Sequence, residues 1–428
     1  MRGIVSWATA AVLALTMPFA AQAQSAGEIG VGVFTFTSGP AGAYGVPGRN
    51  AAELMFDQIN KAGGVAGMKL NPVIVDEAQG TDGVVAEFRR LAADENNLAM
   101  VAALSSGNCL ALAPVAEQLK TPMLAWNCDT HQLFKDHSYN YVYRTNSSTI
   151  PEFFAYALYL LDKKPDLKTV AIINPDYAFG HDAANIFKAA LKAFKPDVEV
   201  VVELFPRLGT ASYNTEISRI AAAKPDVVFS NLWGADLENF TRQALARGIF
   251  QNSQVVLALG ETILQRIELP DGVIVGVLGD GWWHSPTAQQ KPMTKEFVEE
   301  YRKRYNEYPV FPSFKMANTI LSLKSAIEKA AEKAGGKPSR DDLIAVLKGM
   351  EAETFTGTVK LRDDNDGLVD QLVGVTKKTD EVPFPVIADM VRYPADKVTP
   401  PLGADPIEWI SGLKPEYLAD LPKPGSQN

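Results

Sequence analysis

The sequence predicts an α/β protein built from two doubly wound parallel-sheet units, and three observations predict it. Short β-rich runs alternate with longer helical patterns, as parallel strands joined by crossover helices require. The rhythm stops at a connector, YVYRTNSSTIPEF (141–153), and then starts again with the same order of elements. The 428-residue chain is long enough for two or three domains, and with 46% hydrophobic and 21% charged residues each domain can bury a core.

Taken in order, EIGVGVFTFT reads as a strand, and NAAELMFDQINKA as a helix closed by Gly63 and Gly64. KLNPVIVD (strand), VVAEFRRLAADEN (helix), LAMVAAL (strand), LALAPVAEQLK (helix) and TPMLAWN (strand) complete the first unit. After the connector come KTVAIINP, DVEVVVELF, DVVFSNL and QVVLALG as strands. GHDAANIFKAALKAF, TEISRIAAA and LENFTRQALARG are the helices between them. Past GVIVGVLG the pattern is helical over TKEFVEEYRKRYNEY, SFKMANTILSLKSAIEKAAEKAG and SRDDLIAVLKGM. TGTVKLRDDNDGLVDQLVGVTKK then reads as a hairpin. The proline-rich tail from Tyr393, residues 393–428, is expected to be irregular and laid over the surface.

The first residues carry their own message. Arg2, an apolar run from Ile4 to Ala20 and Ala21-Gln22-Ala23 together make a secretory signal peptide over 1–23. No later apolar run approaches the ~18 residues that span a bilayer. A net charge of −9 without a basic run argues against nucleic acid and against an anionic membrane surface as partners. Export permits a disulfide between the two cysteines, Cys109 and Cys128, which would add about 3 kcal/mol. Two buried thiols are the alternative.

Motifs for catalysis are missing. The loop SGPAGAYGVPGRN (38–50) has the look of a phosphate cradle, but no G-x-x-x-x-G-K-[ST] occurs in the chain. Gly30 and Gly32 lie inside a strand, and Thr35 stands where a third glycine would be needed to approach a pyrophosphate. No two of His131, His137, His181 and His284 have i, i+4 spacing, and neither H-E-x-x-H nor G-x-S-x-G is present. DDNDG (363–367) has Arg362 at the first ligand position of a calcium loop and reads as a polar turn. No metal, no cofactor and no enzymatic activity are expected. What remains is the row of loops at the carboxyl ends of the strands, where open parallel sheets bind small ligands. Within ALSSGNCLAL, Ser106 can act as N-cap, with the N–H groups of Gly107, Asn108 and Cys109 pointing outward. That helix start is either an ordinary cap or a seat for an anion.

These segments resemble a known family. SGPAGAYGVPGRNAAELMFDQINKAGGVAGMKL, ALSSGNCLALAPVAEQLKTPMLAWN, VAIINPDYAFGHDA and DVVFSNLWGADLENFTRQALARG follow one another as in type I periplasmic solute-binding proteins. The branch is the leucine/isoleucine/valine-binding family of branched-chain amino-acid ABC importers, and the likeness runs from about residue 28 to about 392. It implies two lobes joined by three crossovers that close on a solute like a trap. The first lobe would hold 24–147 and 278–354, the second 148–277 and 355–392. It also implies ligand-binding residues: Ser106 for a ligand carboxylate, Tyr44 after the Gly-rich loop, Phe179 in YAFG, Trp233 after FSNL, and Glu261 in LGET for a ligand ammonium.

One segment departs from that family. After PMLAW, small residues and a Thr give way to Asn127, Cys128 and Asp129. An inward Asp129 carboxylate would repel a ligand carboxylate by about 4 kcal/mol at 4 Å and an effective dielectric of ~20. A bridge from Cys128 to Cys109 would pin this loop against the Ser106 helix. The resemblance therefore implies a periplasmic, monomeric receptor that hands a small organic solute to an ABC permease in the inner membrane. The solute is expected to be a hydrophobic amino acid, an amide or urea-like compound, or an aromatic acid. A sensor for a membrane signalling protein and an exported α/β hydrolase are the alternative readings.

Overall fold

The computed structural model describes residues 27–425. The expected signal peptide over 1–23 lies outside the described residues.

Two sheets stand side by side. The first is five-stranded and wholly parallel, in the order β2-β1-β3-β4-β5: β1 Glu28–Thr35, β2 Lys69–Asp76, β3 Asn97–Val101, β4 Met123–Ala125 and β5 Val142–Arg144. The second runs β15-β14-β10-β9-β8-β6-β7: β6 Thr169–Ile173, β7 Glu199–Leu204, β8 Val227–Ser230, β9 Gln254–Leu257, β10 Ile274–Gly276, β14 Gln371–Lys377 and β15 Val386–Tyr393. β6 to β10 are parallel, and β14 and β15 add an antiparallel edge. Central strands such as NLAMV and VVFS are buried throughout, so they read as continuous apolar runs.

The chain passes between the lobes three times, before the helix Thr149–Lys163, after β10, and between the short strand β13 (Gly367–Leu368) and β14. After β10 it supplies the helices Pro292–Tyr305 and Phe311–Ala334, which pack on the first lobe's helix Gly42–Lys61.

Five expectations need correction. The Gly-rich stretch is helical from Gly42 rather than a loop up to Asn50. Its small residues permit close packing. A side chain at Gly45 would collide with the Phe36 carbonyl, and a Cβ at Gly48 would sit 2.9 Å from the Trp126 ring. Pro47 is the sixth residue of this helix, so it leaves the Ala43 carbonyl without its intrahelical donor. The connector 141–153 contains β5 and the start of the helix Thr149–Lys163, which is buried on every face from Thr149 to Leu160.

The segment 356–378 is not one hairpin. β12 (Thr358–Leu361) pairs with β11 (Glu351–Glu353) and β13 in a small separate sheet, and only β14 joins the second lobe. Asn365 and Asp366, expected with the second lobe, bind the β5 region instead: the Asn365 Nδ2 donates to the Tyr139 and Val142 carbonyls, and Asp366 receives Arg144. The tail does lie over the second lobe, but it is locally ordered, with helices Ala395–Val398 and Pro406–Gly412 and a 3₁₀ segment Pro415–Asp420. Trp409 packs edge-on against Phe154 at 5.6 Å, Tyr417 also meets that ring, and Ile410 is fully buried.

Candidate functional site

The carboxyl ends of the two sheets face each other across a narrow cavity. Tyr44, Leu104, Ser106, Asn127 and Asp129 line it from the first lobe; Tyr177, Phe179, Trp233 and Leu259 line it from the second. The free space between them is only about 10 Å³, room for about one water molecule, so the side chains of the two lobes are closely apposed.

Each side chain is placed by an element. Tyr44 projects from the first turn of the helix Gly42–Lys61, and its hydroxyl donates to Asn127 Oδ1 at 3.2 Å. Asn127 Nδ2 in turn donates to the Leu104 carbonyl at 3.1 Å. Trp233 sits at the N-cap of Gly234–Ala246, its ring 5.7 Å from the Tyr44 ring at 77°. Phe179 opens the helix Ala178–Phe194 and packs between Phe153 and Tyr177.

The lobes touch on both flanks of the cavity. On one side the Ala235 N–H donates to the Pro40 carbonyl at 3.2 Å. On the other the Thr130 hydroxyl donates to Asp182 Oδ2 at 2.6 Å, with His131 Nδ1 3.4 Å from the same oxygen. The geometry is that of a closed trap.

The loop 127–130 is held from every direction. Cys109 and Cys128 form the disulfide, with Cα atoms 5.9 Å apart. Arg144, fully buried, donates through Nη1 to the carbonyls of Cys128 (2.7 Å) and Thr130 (2.8 Å) and grips both oxygens of Asp366. The Thr149 N–H reaches the Asp129 carbonyl at 2.6 Å. Lys315 Nζ lies 2.8 Å from Asp129 Oδ1 and 3.0 Å from Glu152 Oε1.

One ammonium thus serves two carboxylates in a dry environment. Burial, then the Asp129 charge, pushes the Glu152 carboxyl well above its usual range. Burial alone would lower the Lys315 ammonium, but the two carboxylates hold it above its usual value.

Ser106 and its helix differ in detail from expectation. Ser105 is the N-cap, its hydroxyl accepting from the Asn108 N–H, while Ser106 Oγ accepts from the Thr130 N–H at 3.3 Å. Behind the turn, Glu77 accepts from the Leu104 N–H at 2.6 Å, the Ser105 N–H at 3.4 Å and Asn108 Nδ2 at 2.8 Å. Burial pushes the Glu77 carboxyl up to about 7 against those three hydrogen bonds.

Six of the seven expected residues, Tyr44, Ser106, Asn127, Asp129, Phe179 and Trp233, therefore share one cavity. Glu261 is not on its wall. It is buried behind, where Oε2 accepts from the Phe311 N–H at 3.1 Å at the start of the helix Phe311–Ala334, and burial pushes it up to about 8. Tyr177, Leu104, Leu259 and the supporting pair Lys315 and Arg144 escaped sequence reasoning. Lys315 had a signal: a lone charge in SFKMANTIL, on the buried side of an apolar helix. Among the described residues no group of three or more His, Cys, Asp or Glu side chains is placed to hold a metal ion.

A profile of the periplasmic binding protein family matches residues 28–379. The Leu/Ile/Val-binding protein homolog 7 of Brucella abortus is 27% identical over 302 residues, which cover 68% of this chain and 74% of the relative. A solute-binding protein of an ABC transporter from Rhodopseudomonas palustris BisB5, solved with 3,4-dihydroxybenzoic acid, superposes with a TM-score of 0.73 at 24% identity, covering 88% of this chain and 99% of that one. The branched-chain amino-acid transporter substrate-binding protein of Streptococcus pneumoniae, solved with isoleucine, gives 0.69 at 20% identity, covering 84% and 99%. These two likenesses establish the fold. The family consists of substrate-binding proteins, not enzymes. With both sheets, the crossovers and the cavity between them accounted for, the chain belongs to the periplasmic binding protein family, in its leucine/isoleucine/valine-binding branch.

Proposed function

We propose that this protein is the exported solute receptor of an ABC importer. It captures one small organic molecule between its lobes and delivers it to a permease in the inner membrane. A signal peptide over residues 1–23 directs it to the periplasm, and Tyr44, Ser106, Asn127, Asp129, Tyr177, Phe179 and Trp233 contact the solute. The observation that carries this reading is the cavity itself: its walls come from both lobes, and Tyr44 and Trp233 meet edge to face across it at 5.7 Å. Aromatic walls with a few fixed polar groups are the usual make-up of a small-molecule site.

A thermal-shift screen tests the reading with leucine and phenylalanine, with urea and benzamide, and with benzoate and 4-hydroxybenzoate. A true ligand at 100 times its dissociation constant adds ~2.7 kcal/mol of stability. Trp233→Ala should weaken the binding of whichever compound responds by at least about tenfold, since it removes a large buried wall. If no compound of the three classes raises the melting temperature, the reading fails.

A further inference from the structure

We propose that the cavity selects a solute whose polar end is a hydrogen-bond donor, an amine, amide or hydroxyl, carried on an apolar body without a carboxylate. The proposal rests on the solute-receptor reading above and names the chemistry of the same site.

The first observation is a charged acceptor oxygen left over on the wall, where the one buried donor without a partner among the described lining residues is the neutral Trp233 Nε1. Asp129 lines the cavity. Lys315 takes its Oδ1, and no donor among the described residues meets its Oδ2. Lys315 brings no positive charge beyond the one Asp129 takes, and it is further bound to Glu152 Oε1, whose Oε2 is itself buried without a partner.

The second observation is that no other cation is available. Among the described residues neither Lys nor Arg lines the cavity. Arg144, the nearest guanidinium on the same loop, spends its donors on Asp366 and two carbonyls.

The third concerns the helix start that the resemblance assigns to a ligand carboxylate. The protein's own groups already take most amides there: Glu77 those of Leu104 and Ser105 just ahead of the helix, and Ser105 those of Asn108, through Oγ, and Cys109, through its carbonyl. A ligand carboxylate beside Ser106 would face Asp129 with Glu77 behind, and no ammonium or guanidinium would compensate it. A donor group instead finds Asp129 Oδ2, while the four aromatic side chains around it accept a flat body and, for an amine, a cation over their faces.

The test keeps one ring and changes only the head group. Benzylamine, benzamide, benzoate and L-phenylalanine are titrated into the full-length protein by calorimetry at low salt. The expected result is that benzylamine or benzamide binds at least about tenfold more tightly than benzoate and phenylalanine. The order of the first two tells a cationic donor from a neutral one. Benzoate or phenylalanine binding as tightly as both would overturn the proposal and leave the receptor reading standing, as would leucine responding alone in the screen. Silence of every compound in both panels overturns both. Asp129→Asn, checked for native circular dichroism, should narrow the gap between benzylamine and benzoate by at least about tenfold. An unchanged gap in a folded variant also counts against the proposal, and if the variant does not fold the wild-type series decides alone.

Discussion

Lys315 is the residue on which the ligand-facing loop leans hardest. It is almost wholly buried, and its ammonium is the counter-charge for Asp129 and Glu152 together. Removing one member of a buried ionic cluster leaves charge with neither water nor partner, which costs about 3–5 kcal/mol. Lys315→Met, close in volume, should therefore lower unfolding stability by that amount in urea, with little loss if Asp129→Asn and Glu152→Gln accompany it. A single variant as stable as wild type would mean the cluster is not desolvated. Glu77 gives a second handle, through pH. Its folded-state value is raised from 4.5 to about 7, so the native state holds its proton more tightly than the unfolded chain does. Its contribution is complete below about pH 4.5 and is lost as pH rises through 7. Wild-type stability relative to Glu77→Gln should thus fall by up to roughly 3 kcal/mol between pH 4.5 and 8. Equal pH slopes for the two proteins in paired urea melts would show that Glu77 titrates normally.

The helix Thr149–Lys163 does at the scale of elements what Lys315 does among residues: it sits where everything meets. It follows the first crossover, carries Glu152 toward Lys315, and presents Phe154 to the tail. Phe154→Ala deletes the platform under Trp409 and Tyr417, and Phe→Ala in cores typically costs ~3–5 kcal/mol. Here the outcome should be local, with proteases cutting within 394–421 far faster than in wild type while the two lobes remain resistant; unchanged tail protection would mean the strap is held elsewhere. This helix was also the element least legible in the sequence. Pro151 and the run NSST look like a linker, yet a proline at the third helical position loses an N–H that has no intrahelical partner anyway. The parallel strands were legible because burial on both faces leaves runs such as VAII, residues 170–173, with nothing polar to confuse them. The hairpin around DDNDG was legible as a turn but not as a boundary, since β12 and β14, read as the two arms of one hairpin, each pair with a different chain neighbour, β11 and β15. At the site, motif positions located Tyr44, Ser106, Phe179 and Trp233. Lys315 and Arg144 are supporting residues whose role exists only once 186 and 222 residues of separation are folded away in their pairs with Asp129 and Asp366.

For the molecule as a whole the question is what keeps the two lobes shut, since a receptor must open to load and unload. Hydrogen bonds flank the cavity on both sides, and the two flanks are unequal; Asp182 also accepts Gln132 Nε2 at 3.4 Å. The Ala235–Pro40 bond joins backbone groups at 3.2 Å, whereas Thr130 donates to the Asp182 carboxylate at 2.6 Å in a buried setting. A hydrogen bond to a charged group contributes about 1.5–3 kcal/mol, enough to move an open–closed equilibrium by roughly ten- to a hundredfold. The same threonine oxygen also accepts the Gln132 N–H, so the latch is tied to the turn that follows the ligand-facing loop. Thr130→Val keeps the shape and removes both roles. The lobes should then spend more time apart, seen as a larger radius of gyration in solution scattering without ligand. A saturating ligand should restore the wild-type value, at an apparent dissociation constant about ten- to a hundredfold weaker, because binding must then supply the closure energy that Thr130 had provided. Matching scattering curves and affinities for the two proteins would place the hold on the lobes at the Pro40 side and in the crossovers instead.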